Sequence, residues 1–171
     1  AHTPTPRRLD SLLETSRDMV ALEDLTISGN IGAIIRTSLA FGAGAIVLLN
    51  AQPADIYDRR LIRASRGHVF SLPIVTATTE EFIEFCQQHQ IPILVMAVQA
   101  DHAVPDVASF AGRLMIVFGS EKDGCSETLT KASALQVQIP TDAKVESLNV
   151  STAAGIMLYS RAWFNLPQVR K

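Results

Sequence analysis

The chain has 171 residues, 47% hydrophobic and 19% charged: the length of one domain, with enough apolar material for a core, which excludes a disordered chain. Fifteen Lys and Arg stand against 17 Asp and Glu, a formal charge of −2, so the general basic surplus of a nucleic-acid binder is missing and any field attracting RNA must be local or come from another domain. No apolar run approaches the ~20 residues of a membrane span, no apolar leader opens the chain, and two cysteines, Cys86 and Cys125, make no disulfide framework, which fits a reducing cytoplasm.

The start is Pro-rich and lacks an initiator Met, so residues 1–17 read as a linker or the remnant of an upstream domain, with the folded domain over 18–171. Residues 19–25 form a first apolar strand. Residues 28–36 (SGNIGAIIR) open a helix over 29–42, with Ile31, Ile34, Ile35, Leu39 and Phe41 largely on one side. Gly42 and Gly44 end that helix and precede a buried strand over 45–49. A dinucleotide fingerprint needs its glycines after a strand and opening a helix, so this reading is rejected.

Residues 58–66 read as a basic helix carrying Arg59, Arg60, Arg63 and Arg66. At ~100° per residue, Arg59, Arg63 and Arg66 share a face and Arg60 lies off it. The pattern alone weighs a solvated face and a phosphate-contacting face equally. A strand follows over 72–76. Thr78 to Glu81 make a capping box before Phe82, Ile83, Phe85 and Cys86, in which Cys86 is a small core residue. Pro92 breaks that helix, and residues 93–98 and 114–118 are buried strands. A last strand over 135–139 stops at Pro140. After a polar loop, a helix opens near Asn149, capped by Ser147 or Asn149, with little side-chain bulk at Ser151, Ala153, Ala154 and Gly155. Trp163 and Phe164 close it, either in the core or in a subunit interface. The interface is favoured because residues 150–164 are apolar on more than one side.

Strands alternating with helices predict an α/β fold with a mostly parallel sheet flanked by helices. In such sheets ligands gather at the carboxyl ends of strands, where three polar, glycine-containing connections lie: 28–36, 117–124 (VFGSEKDG) and 139–155 (IPTDAKVESLNVSTAAG). Gly119 and Gly124 suit either a turn with special dihedrals or close approach of backbone to a ligand. Asn30 and Asn149 suit caps or orienting groups, Ser147 a cap, Glu121 a surface carboxylate, and Arg36 an exposed helix position. The four His are scattered and no His/Cys/Asp cluster has metal-ligand spacing, so no metal is expected.

In order and rough spacing, the three connections resemble the three motifs of the SpoU (TrmH) family of SPOUT-superfamily RNA ribose methyltransferases, over about residues 19–163. The run from Gly29 through 66–73 (RGHVFSLP) is most similar to the thiostrepton and nosiheptide resistance methyltransferases. The resemblance implies a C-terminal deep trefoil knot, which nothing in composition or periodicity reveals. It implies S-adenosylmethionine held by Phe118, Gly119, Ser120, Gly124, Ile139, Pro140, Ser147, Leu148 and Asn149, largely through backbone groups. It implies a catalytic set of Arg36 with Asn30, Glu121, Ser147 and Asn149, and an RNA surface including Arg59, Arg63 and Arg66. It further implies a cytoplasmic homodimer acting on RNA, with 23S rRNA favoured and antibiotic resistance the narrower role. A tRNA-modifying relative and a non-catalytic RNA-binding domain are the rival readings. Cys125 departs from the family pattern, where a small residue is common.

Overall fold

A computed structural model describes residues 8–120 and 122–165. Seven strands, β1 Met19–Glu23, β2 Ile46–Leu49, β3 Ile74–Ala77, β4 Ile93–Met96, β5 His102–Ala103, β6 Met115–Phe118 and β7 Leu135–Gln138, form one sheet in the order β3-β2-β1-β6-β4-β7-β5. Every ladder is parallel. Strands β1, β2 and β6 are buried at every position, because helices cover both faces of the sheet and the strands must be apolar on both sides.

The helices are α1 Ser28–Ala40, α2 Arg59–Ala64, α3 Thr79–Gln88, α4 Val104–Ala108, α5 Glu127–Ala132 and α6 Val150–Asn165. Alternation along each strand divides the interior in two. Val20 and Leu22 face Ile31, Ile34 and Ile35 of α1, Leu61 of α2, Val107 of α4 and Met157 and Leu158 of α6. Met19 and Ala21 face Phe82 and Phe85 of α3 and Leu129 of α5. Leu12, from a 3₁₀ turn at Leu9–Glu14 inside the stretch read as a linker, joins this second layer.

The α3 capping box forms as expected: Glu81 N–H donates to Thr78 Oγ1 at 3.2 Å and Thr78 N–H to Glu81 Oε2 at 2.9 Å. Gly44 packs against Thr15, whose Cγ2 a side chain there would meet at 2.7 Å, so this glycine serves close packing. The basic helix is shorter than expected. It stops at Ala64, Ser65 caps it, and Arg66 turns into the left-handed region with φ 53°. The expected single helical face of Arg59, Arg63 and Arg66 is therefore corrected: Arg66 projects from the turn after the helix. A left-handed residue cannot continue a right-handed helix. Strand β5 and helix α4 were not anticipated, being too short to show a period.

The last helix is anchored at its far end by Arg161, 2% exposed. Its Nε and Nη2 donate to the two carboxylate oxygens of Asp18 at 2.8 and 3.0 Å. Nη1 donates to the carbonyl of Phe110 at 2.6 Å and Nη2 to that of Gly112 at 2.9 Å. A buried ion pair persists only when its remaining hydrogen bonds are made, and here they are. The node pins α6 to the start of β1 and to the connection between α4 and β6, which holds the opposite end of α6 in place for the site.

Candidate active site at the carboxyl ends of the sheet

The chain winds outward from β1 to β3 on one side, and its later strands fill the other. Neighbouring β1 and β6 therefore mark a switch point, where diverging connections open a crevice. The connection after β1 leads into α1 and the one after β6 carries Gly119, so the first two motifs meet because their strands are paired. Beside them, at the ends of β4, β6 and β7, lies a cavity of about 450 Å³. Phe118, Gly119, Ser120 and Gly124 line one side, Ile139, Ser147 and Leu148 another, and Val150 and Ala153 of α6 its floor. Pro140 and Asn149, both expected to hold the cofactor, are exposed and are not part of the lining. Glu121 lies outside the described residues.

The turn at 119–124 is built from backbone. Ser120 and Gly124 exchange two main-chain hydrogen bonds of 3.1 and 3.0 Å, and Asp123 N–H donates to Ser120 Oγ at 3.1 Å. Gly124 has φ 69°, which favours glycine. A Cβ on Gly119 would fall on the carbonyl group of Gly124. The close approach that Gly119 permits is thus made by the turn itself, and the wall of the cavity follows from it.

Asn149 joins the first and third motifs. Its Oδ1 accepts from Ser151 N–H at 2.9 Å, capping α6, and from Ser151 Oγ at 2.6 Å. That orients the amide, and Nδ2 then donates to Oδ1 of Asn30, in the first turn of α1, at 3.2 Å. Of the two caps left open, Asn149 is the one used. Ser147 stays exposed at the rim. Arg36 is exposed and makes no ion pair among the described residues. It lies one turn along α1 from Gly32, whose missing side chain lets α1 press on α2: a Cβ there would stand 2.6 Å from the Ala64 carbonyl carbon. Arg36 therefore lies toward α2. Arg59, Arg63 and Arg66 are exposed there, whereas Arg60 is tied to Asp58 at 3.2 Å.

Two parts of the site escaped sequence reasoning. Val95, Met96, Ala97 and Val98, at the end of β4, form a wall of the cavity. The only signal was an apolar strand running into polar residues, which does not distinguish a ligand wall from core. Glu23 is the other: a buried carboxylate accepting Ser126 N–H at 2.7 Å and Thr79 Oγ1–H at 3.3 Å, so it ties β1 to the starts of α5 and α3. Cys125, also in the lining, has its thiol pushed up to about 12, by burial first and by the negative charge of Glu23 second. It stays protonated at neutral pH, so it is a wall and not a nucleophile. Among the described residues, no three His, Cys, Asp or Glu side chains cluster as a metal site, and no helix is long and apolar enough to cross a membrane.

A parallel α/β sheet whose switch-point loops close on a partly apolar cavity defines a small-molecule-binding α/β domain. More narrowly, residues 18–159 match the SpoU rRNA Methylase family, and the chain belongs to that family. It is 43% identical over 97% of its length to the 23S rRNA (adenosine(1067)-2′-O)-methyltransferase of Streptomyces azureus, and 44% identical over 99% to that of Streptomyces laurentii. The chain spans 62% and 63% of the length of these two relatives. Among solved structures, the SpoU methyltransferase AviRb from Streptomyces viridochromogenes, in complex with the cofactor AdoMet, superposes with a TM-score of 0.84 at 28% identity. That match covers 93% of this chain and 65% of that one.

Proposed function

We propose that this domain binds S-adenosylmethionine in the cavity and transfers its methyl group to a ribose 2′-hydroxyl of RNA, with 23S rRNA the favoured substrate. The observation that supports the reading is the bond from Asn149 to Asn30, which ties the arginine-bearing helix to the segment between Leu148 and Val150 that lines the ligand-sized space. Val95, Phe118, Ile139 and Leu148 suit an adenine, and the tight Ser120–Gly124 turn suits a ligand held against main chain.

The donor supplies a methyl group already activated by a positive sulfur. The chain's residues then have to align the ribose oxygen and ease removal of a weakly acidic proton. A guanidinium is a strong donor and a poor general base, so Arg36 serves as a clamp on a substrate phosphate that stabilises the developing alkoxide. Asn30 and Asn149 fix the ribose or orient Arg36, with Ser147 at the rim, and the role proposed for Glu121 is to hydrogen-bond this network or take up a proton. Likeness to the two Streptomyces 23S rRNA enzymes favours rRNA over tRNA, and thiopeptide resistance, in the cytoplasm, is the narrower role proposed.

Two further parts of the proposal concern architecture. Strands β4 and β5 lie on either side of β7 and run parallel to it, and residues 97–101 connect them across it. That connection is tied to β7 by Ala97 N–H to the Val137 carbonyl at 2.9 Å and Gln138 Nε2 to the Ala100 carbonyl at 2.9 Å. The proposed trefoil knot forms where β7 passes this loop. The homodimer would use α6: Ile156, Tyr159 (52% exposed) and Trp163 (65% exposed) recur on one side, with Tyr159 against Phe41 of α1 at 5.6 Å. Sedimentation at micromolar concentration is expected to show twice 18.5 kDa. A monomer that still turns over would remove the dimer from the mechanism. The function itself is tested by mapping ribose methylation by mass spectrometry on rRNA and tRNA treated with the full-length protein and S-adenosylmethionine. No methylated ribose on either RNA would sink it.

A further inference from the structure

In the run 66–73 after α2, the residues beyond Arg66 are not accounted for by cofactor binding or by phosphate contacts. Its backbone is a closed turn: Gly67 N–H donates to the Ile62 carbonyl at 2.9 Å, His68 to Ser65 at 3.1 Å, Phe70 to Gly67 at 3.1 Å and Ser71 to His68 at 2.9 Å. Gly67, with φ 81°, reverses the chain. Val69 and Leu72 are buried on either side. Between these anchors Phe70 is held outward, 62% exposed.

A phenylalanine in a floppy loop would need no explanation. This one is fixed in an exposed position by a hydrogen-bonded turn whose neighbours are in the core. Its one aromatic neighbour among the described residues, Tyr57, lies nearly parallel, at 23°, with the ring centroids 6.5 Å apart. That is near the long limit of aromatic pairing, so the tyrosine leaves most of the ring available. The surroundings are basic. Arg63 and Arg66 are exposed on the same element and turn, and His68 is half-buried two residues away. Through Gly32, α2 is pressed on α1, the helix that carries Arg36.

A planar apolar face rimmed by cations matches an unstacked base flanked by phosphates. Proteins that read RNA by sequence hold splayed bases on aromatic rings in this way. We propose that Phe70 is a stacking platform for one unpaired base of the substrate RNA, near the ribose to be methylated. The platform restricts the substrate to single-stranded or loop nucleotides. This rests on the RNA methyltransferase reading of the site.

The test uses the full-length protein and the rRNA fragment that it methylates, with 2-aminopurine placed in turn at each unpaired position. The variants are Phe70→Leu, which keeps apolar bulk and removes the π face, and Phe70→Trp, which keeps it. Wild type and Phe70→Trp are expected to quench the probe at one position on binding. Phe70→Leu should lose that quench and bind RNA roughly tenfold to a hundredfold more weakly. KM for RNA should rise while kcat at saturation, the salt slope of binding and S-adenosylhomocysteine affinity stay near wild type, because no phosphate contact is lost. Wild-type RNA affinity in Phe70→Leu would overturn the platform and leave the methyltransferase reading standing. Loss of a dimer in Phe70→Leu would assign the ring to a subunit contact and also overturn it. Failure of the wild-type protein to bind or methylate any RNA would bring down both.

Discussion

In the 119–124 turn beside the cavity, Gly119, Ser120 and Gly124 are small, and the shape of the turn is set by main chain. Gly119 has no room for a side chain because the carbonyl of Gly124 occupies it, and Ser120 spends its hydroxyl on the turn. Across α1 and α2 the opposite holds. Arg36, Arg59, Arg63 and Arg66 are long, charged and exposed. Arg60 alone is paired there among the described residues, and its side-chain hydrogen bond holds the Asp58 carboxyl below the usual range. One region is specified by what cannot be added, the other by charge that the fold leaves available. Substitutions in the first should act through shape and stability, and in the second through charge with the fold intact.

The largest expected effect is at Gly119. Gly119→Val should lower the melting temperature and abolish S-adenosylhomocysteine binding by calorimetry, because a branched side chain must displace the Gly124 backbone. A stable variant with unchanged affinity would show that the turn does not shape the pocket. Next comes Arg36→Ala, which should slow methyl transfer by about 10²–10³-fold at saturating RNA and leave S-adenosylmethionine affinity nearly intact. Arg36→Lys should recover part of the rate, since an ammonium lacks the bidentate fork. A wild-type rate in Arg36→Ala would contradict the clamp.

Smaller again is Arg63→Ala. Losing one phosphate contact should weaken RNA binding by about tenfold or less and reduce the log–log salt slope by about one. An unchanged slope would assign this arginine to the solvated surface. The smallest effect is at Cys125 and is read through pH. Its folded thiol ionises near 12, against an ordinary value of 9.0. Below about pH 9 both states hold the proton and stability is full. Above it the unfolded chain releases the proton first, so stability falls as pH rises toward 12. Cys125→Ala should flatten part of this decline in denaturant melts between pH 9 and 10.5. The buried Cys86 thiol, also pushed up to about 12 by burial, contributes to the same decline.

Much of this was readable from local pattern. The apolar runs at 19–25, 45–49 and 114–118 contain the strands β1, β2 and β6, because a strand covered on both faces must be apolar at every position. The Thr78–Glu81 capping box and the Asn149 cap involve neighbours within three residues, so chain chemistry alone determined them. The order of the three motifs was legible for the same reason.

Tertiary structure decided what depends on residues far apart in the chain. Asn149 meets Asn30 across 119 positions, and Arg161 reaches Asp18 across 143, although nothing in either residue's neighbourhood names its partner. Val95 became a cavity wall only because β7 pairs beside β4. Arg66 left its expected helical face because Ser65 caps the helix and Arg66 itself turns left-handed. Periodicity reports which face of an element is apolar, since that is a property of consecutive residues. Which faces meet, and which side chains are left outside to act, is decided by how the elements pack.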